Sequence, residues 1–246
     1  MATLTNSFFD INKLPAEEGI LVFPISMSRI SNIQDAKHCW DYLLIFSPEK
    51  IIKPLVGLNF FYCDYLYFSS DEKASTLKKK FSQLIVNHKN EFLNIIRKNP
   101  FYIEKAVSFT TWNQIYLDCK DFTRFFGELK RLYQSDEKLR GYMKEDAARA
   151  KKKLTLNQID FFLEEILFSY LVTKGEVTLH NEFIQNHHKW ILYCYPGKPL
   201  KAQIYIFQKN PFKRYNPNNK FDDAYYDLAD KKLYNLAKID LKTFDL

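Results

Sequence analysis

The chain has 246 residues, 36 basic and 29 acidic side chains, a formal net charge of +7, and 46% hydrophobic and 26% charged residues. That balance is ordinary for a soluble folded protein, and the length suits one α/β core. Only 6 glycines are present, and neither GxGxxG nor GxxxxGK[ST] occurs, which argues against a dinucleotide fingerprint or a P-loop.

Residues 1–18 read as a polar lead-in. Gly19 to Ser26 (GILVFPIS) is a continuous apolar run ending on a hydroxyl, as expected of a strand covered on both faces. The run is too short to span a bilayer and no basic segment precedes it, so a cytoplasmic location without membrane contact is expected. Residues 31–56 are mixed, with breaks at Ser47-Pro48 and Pro54. Asn59 to Phe68 (NFFYCDYLYF) reads as a second strand.

Ser70 and Asp71 offer N-caps for a long helix over about 72–98. Leu77, Phe81, Leu84, Ile85, His88, Phe92 and Ile95 recur on one face; Lys73, Lys78, Lys79, Lys80, Lys89, Arg97 and Lys98 lie off it. A strand near 102–109 follows. A charged helical stretch then runs from Thr111 to Lys153 with a break near Ser135-Asp136. Thr155 begins a further helix through about Leu171, with Leu156, Ile159, Leu163, Ile166 and Tyr170 facing the core. Residues 176–189 read as a polar loop or short helix. Strands are expected at 190–195 (WILYCY) and 202–208, a loop over 210–220, and a closing helix over 222–238. Strands alternating with helices indicate a mostly parallel, Rossmann-like sheet with helices on both faces. No linker divides the chain, so a single domain over 1–246 is expected, with a loop and C-terminal helix from about 209.

Four features bear on chemistry. Ser26 ends a buried strand, and ligands of open α/β sheets bind at the carboxyl ends of strands. Its hydroxyl is either a nucleophile awaiting activation or a cap for the next element, and Ser28 and Ser31 compete for the role. Phe161, Glu165 and Phe168 form a stripe at i, i+4, i+7. A carboxylate between two aromatics either has a cation to pair with, such as a substrate ammonium, or is exposed beside Glu164. Tyr195-Pro196 ends the strand at 190–195, so Tyr195 is either a hydroxyl at a wet rim or a core residue. Lys78, Lys79, Lys80, Lys89, Arg97 and Lys98 either meet phosphates or simply face solvent. His180, His187 and His188 lack the spacing of a metal site, so no metal is expected. The four cysteines form no CxxC pair and read as reduced thiols.

Taken in order, these motifs resemble the cyclodipeptide synthases, which join amino acids carried by aminoacyl-tRNAs. The resemblance runs from about 19 to 208. It rests on Ile25-Ser26, Phe61-Tyr62-Cys63-Asp64, the basic helix, Phe161 to Glu165, and Cys194-Tyr195. Tyr195-Pro196, with Arg29 three residues past the serine, is similar to the family branch that carries Tyr-Pro here. Phe161 stands where the family has a tyrosine; moving the glutamate role to Glu164 would place Asp160 there instead. The resemblance implies a fold like that of class I tyrosyl- and tryptophanyl-tRNA synthetases, no cofactor, and a monomer. It also implies that Ser26 carries an aminoacyl group and Glu165 holds its amine. A second aminoacyl-tRNA then extends it to a dipeptidyl-enzyme, and Tyr195 helps close the ring. Val22, Pro24, Phe61, Cys63, Phe168 and Tyr193 would line the first pocket, Arg29 and Pro196 would also belong to the substrate pocket, and a small or slender first side chain is expected. The basic helix would face tRNA. The alternatives are a non-catalytic RNA-binding protein and a serine hydrolase using His38 as base.

Overall fold

The computed structural model describes residues 19–44, 55–64, 74–99, 107–174, 190–215, 219 and 221–244. Among the described residues six strands form one sheet: β1 (Gly19–Ser26), β2 (Leu55–Cys63), β3 (Val107–Thr111), β4 (Trp190–Tyr195), β5 (Ala224–Asp227) and β6 (Lys232–Asn235). Their order is β3-β2-β1-β4-β5-β6; all neighbours are parallel except β5 and β6. β1 and β4 are the centre, which is why both are nearly unbroken apolar runs. Gly19 pairs with Trp190, whose indole occupies the space a Cβ at position 19 would need, 1.8 Å away; only glycine fits there.

The strands sort their side chains by parity. Leu21, Phe23 and Ile25 point to the face covered by α1 (Ala36–Leu43) and α2 (Ala74–Arg97). Ile20, Val22, Phe61 and Tyr193 point to the other face. That face is covered by α3 (Trp112–Asp118), α4 (Phe122–Ser135), α5 (Glu137–Arg149), α6 (Leu156–Thr173) and α7 (Lys201–Lys209). On the first face, His88 of α2 is buried and its Nδ1 lies 2.9 Å from the Tyr62 hydroxyl, so a histidine occupies a helical core position beside Phe81 and Phe92.

Helix α6 is fixed at both ends. Thr155 caps its N-terminus by accepting from the Gln158 N–H. Beyond its last turn, the buried Lys174 ammonium donates to Asp222 at 2.7 Å and Asp223 at 2.8 Å. Lys174 thereby ties α6 to the approach to β5.

Several sequence expectations are corrected. Residues 202–208 belong to α7, not to a strand. The Ile204/Ile206 alternation imitates period two, but Ala202, Gln203, Ile204, Ile206 and Phe207 together make a wide buried helical face. The buried Asp146 of α5 accepts from the N–H groups of Lys201 and Ala202, both at 2.9 Å, and so caps α7. A parallel β4–β5 pair also needs such a crossover. Residues 222–238 form no long helix. Tyr225 and Tyr226 point to opposite faces of β5, a turn with Lys231 at φ 53° follows, and β6 returns antiparallel before a short 3₁₀ turn at Leu236–Lys238. The second strand ends at Cys63, and its described part begins at Leu55. The described part of the third is Val107–Thr111, which ends two residues later than expected. The Thr111–Lys153 stretch breaks at Asp136 and also at Cys119–Asp121. Leu156 is 80% exposed, because it lies in the first turn of α6 beyond the packed face. The breaks at Ser47-Pro48 and Pro54, the caps Ser70 and Asp71, Lys73, and the 176–189 histidines lie outside the described residues.

Candidate active site

Strand order reverses between β1 and β4, so their carboxyl ends border the crevice where open α/β sheets bind ligands. Ser26 is the last residue of β1, and Tyr195 the last of β4. Pairing of β1 with β2 runs to Ser26↔Cys63, whereas pairing with β4 stops at Val22↔Tyr193. Pro24, lacking an N–H, stands just beyond that last pair. Ser26 shares the parity of Ile20 and Val22 and therefore faces the α6 side. It is half-buried; its Oγ lies 2.9 Å from the Oγ of the exposed Ser28, and its carbonyl accepts from Arg29 N–H.

Adjacent carboxyls on α6 have different surroundings. Glu165 is half-buried. Burial raises its pKa, while the charges of Lys152 and Arg29 act to lower it. The same carboxyl acts on Cys63, Tyr193 and Tyr225, side chains of the strand ends. Glu164 is buried and faces Asp160 and Lys130 instead; burial pushes its pKa to about 8, and its Oε2 has no hydrogen-bond partner among the described residues. The helix thus aims Glu165, not Glu164, at the crevice. Phe161, one turn before Glu165, is half-buried, with the Lys152 ammonium 5.3 Å from its ring centre.

Tyr195 is half-buried, and the Arg29 guanidinium sits 5.5 Å from its ring centre. The turn after it is held from three sides. Tyr195 C=O accepts from Leu228 N–H, Asp227 accepts from Gly197 N–H at 2.9 Å, and Tyr225 Oη donates to Gly197 C=O at 2.7 Å. Gly197 has φ 142°, a conformation that suits glycine. Pro196 is buried within this turn. A helix over 222–238 gives Asp227 and Tyr225 no role, and the strand does. The signal was Tyr225-Tyr226, whose alternation suits a two-sided strand.

Of the expected pocket, Val22, Phe61, Phe168 and Tyr193 are packed into the core. Phe168 stacks on Phe61 with ring centres 3.6 Å apart and meets Trp112 edge-on at 4.2 Å. Pro24 is buried as well. Ser26, Arg29, Cys63, Phe161, Glu165 and Tyr195 remain partly accessible. Burial, with Glu165 and Asp64 nearby, holds the Cys63 thiol well above its usual range. Asp64 accepts from Asn113 N–H, joining the end of β2 to α3.

His38 lies on α1, on the opposite side of the sheet, with its Nδ1 3.0 Å from Asp35, and gives no support to a serine–histidine pair. A cleft of about 580 Å³ also lies there, between α1 and α2 and away from Ser26 and Glu165. Lys78, Lys79, Lys80, Lys89, Arg97 and Lys98 are all exposed on α2 or just beyond its end; Lys89 also rests 5.0 Å from the Phe109 ring centre. All four cysteines are free thiols. Among the described residues no cluster of His, Cys, Asp and Glu could hold a metal, and no helix is long and apolar enough to cross a membrane.

No protein-family model matches the sequence, and no curated protein matches it. Solved structures do match. A CDPS (cyclodipeptide synthase) from Staphylococcus haemolyticus is 10% identical, with 82% of this chain and 87% of that chain covered and a TM-score of 0.52. A CDPS from Fluoribacter dumoffii is 11% identical, covering 80% and 86%, at 0.51. A cyclodipeptide synthase from Bacillus thermoamylovorans is 14% identical, covering 82% and 85%, at 0.50. The chain has the cyclodipeptide synthase fold.

Proposed function

We propose that this chain is a tRNA-dependent cyclodipeptide synthase of the Tyr-Pro branch, working in the cytoplasm on aminoacyl-tRNAs without a cofactor. One observation carries the reading. Within this fold, Ser26 and Tyr195 end the two strands that flank the switch point, and Glu165 reaches the same face from α6.

The aminoacyl ester is already activated. Ser26 Oγ attacks its carbonyl, the bond to the terminal ribose breaks, and the ribose oxygen leaves with a proton. Glu165 holds the ammonium of the acyl group, with the charges of Lys152 and Arg29 also favouring its carboxylate form. For the dipeptide to stay on Ser26, the bound ammonium gives a proton to Glu165 and the freed amine attacks the ester of the second aminoacyl-tRNA, whose ribose oxygen leaves with a proton. The opposite attack would free Ser26 and leave a dipeptidyl-tRNA. The new terminal amine then attacks the Ser26 ester, the ring closes, and Oγ regains its proton through the Tyr195 hydroxyl. Two esters are exchanged for two amides, so no nucleotide is consumed. Phe61 and Phe168, expected to line the first pocket, stack on each other in the core, which favours a small or slender first side chain.

The test is expression in bacteria followed by mass spectrometry of the medium. Cyclic dipeptides are expected from the wild type and from Ser28→Ala, and none from Ser26→Ala. Folded wild-type protein that yields none overturns the reading.

A further inference from the structure

A central strand that contains a proline has lost a ladder donor and needs a substitute. In β1 that proline is Pro24, two residues before Ser26. Residues 24 and 26 have the same parity, so their backbone groups leave the same edge of the strand. The β2 ladder continues to Ser26, and the β4 ladder has ended at Val22, so the open edge is the one facing β4.

Gln34 closes that edge. Its Nε2 donates to Pro24 C=O at 2.7 Å, and its Oε1 accepts from Ser26 N–H at 3.0 Å. The orientation of the amide is forced, because a carbonyl only accepts and an N–H only donates. Gln34 is 2% exposed. Its own N–H is bound to Arg29 C=O, and its carbonyl accepts from the Cys39 thiol. It is therefore held by the turn that follows Ser26 and by α1. One consequence is that the Ser26 N–H is committed to Gln34, so an oxyanion formed at the Ser26 ester draws its donors from elsewhere.

We propose that Gln34 is a positioning residue for the Ser26 nucleophile. Its side-chain amide acts as the missing strand partner at the mouth of the crevice and fixes the backbone that presents Oγ. This role rests on the synthase reading. It accounts for a proline in a central strand: Pro24 opens the sheet at the switch point, and Gln34 keeps the opened strand end rigid.

The experiment measures acyl-Ser26 formed in a single turnover from bulk bacterial tRNA charged with mixed radiolabelled amino acids. Gln34→Met keeps the length and removes both hydrogen bonds. Acylation at saturating tRNA is expected to slow about a hundredfold, with the half-saturating tRNA concentration unchanged. Gln34→Glu supplies the second readout. The neutral acid can donate to Pro24 and accept from Ser26, whereas the carboxylate cannot donate. Its rate relative to wild type should fall as pH rises, at temperatures below its measured melting point at every pH. A folded Gln34→Met that acylates at the wild-type rate, or a Gln34→Glu ratio flat with pH, overturns the role. If Gln34→Met does not fold, the Gln34→Glu profile decides. A wild type that forms no acyl-Ser26 overturns the synthase reading and this role with it. Acylated wild type with indifferent Gln34 variants overturns this role alone.

Discussion

The two faces of the sheet share the same strands, yet each buries a titratable side chain of opposite kind. On the α6 face Glu164 is pushed up to about 8; on the α1/α2 face His88 is pushed down to about 4. Burial is the first cause of both shifts, and both groups are held in their neutral forms. Lys130, the cation that acts on Glu164, is engaged by Asp160 at 2.9 Å. Glu165, the next residue, turns by about 100° around α6 toward the strand ends, where Lys152 and Arg29 accompany it. The contrast in cationic company therefore lies within the α6 face, between Glu164 and Glu165. The 580 Å³ cleft lies on the face without Ser26 or Glu165.

The largest expected effect breaks the two glutamates apart. Glu165→Ala should lower cyclic dipeptide formation by on the order of a hundredfold, as expected when one partner of an enclosed ion pair is removed. Glu164→Ala should change it several-fold at most, through packing. The reverse ranking, measured by mass spectrometry at equal protein levels, would move the ammonium site to the α4 side. Glu165 also sets a sign with pH. Its pKa is raised, so acidification protonates it earlier than an ordinary carboxyl and removes the ammonium's counter-charge. The half-saturating aminoacyl-tRNA concentration should rise in acid for the wild type, and this pH dependence should be reduced in Glu165→Gln.

The two neutral groups should give stability curves that bend in opposite directions. Between the ordinary 4.5 and about 8, the unfolded chain has released the Glu164 proton while the folded chain keeps it, so stability falls as pH rises. Between about 4 and the ordinary 6.5, the unfolded chain binds a proton that folded His88 refuses, so stability falls as pH drops. Glu164→Gln should remove the alkaline loss, on the order of 2–3 kcal/mol between pH 5 and 8. His88→Gln should remove the acid loss, about 2 kcal/mol. Urea unfolding across pH measures both, and losses of the same sign would undo the contrast between the faces.

Much of this was legible because periodicity reports burial. β1 and β4 were plain as apolar runs, and their end residues Ser26 and Tyr195 followed. The 3.6 period placed Glu165 in a stripe with Phe161 and Phe168. It did not separate Glu165 from Glu164, because that depends on which helix packs on which side. The C-terminal third was misread where two periods compete. Ile204 and Ile206 alternate within a helix, and Tyr225 and Tyr226 lie in a strand that long-range pairing with β4 stabilises. Asp227 and Gln34 escaped notice for a further reason. Each acts by hydrogen bonding a backbone group that only the folded sheet brings near, Gly197 in one case, Pro24 and Ser26 in the other.

The smallest expected effect concerns α2, whose basic side chains lie on the face away from Glu165. Lys79 and Arg97 are separated by about five full turns, as are Lys80 and Lys98, so each pair shares an edge of the helix. If these edges meet tRNA phosphates, changing Lys78, Lys79 and Lys80 together to Ala should weaken tRNA use several-fold. Each lost contact should also flatten the slope of log affinity against log salt by about one. Single-turnover acylation at saturating tRNA should be unchanged, because none of the three lies on the α6 side with Ser26. That pairing of results separates a docking surface from a catalytic one. A slope that stays the same while binding weakens would mean that the lysines act through the fold of α2 and not through phosphate contact.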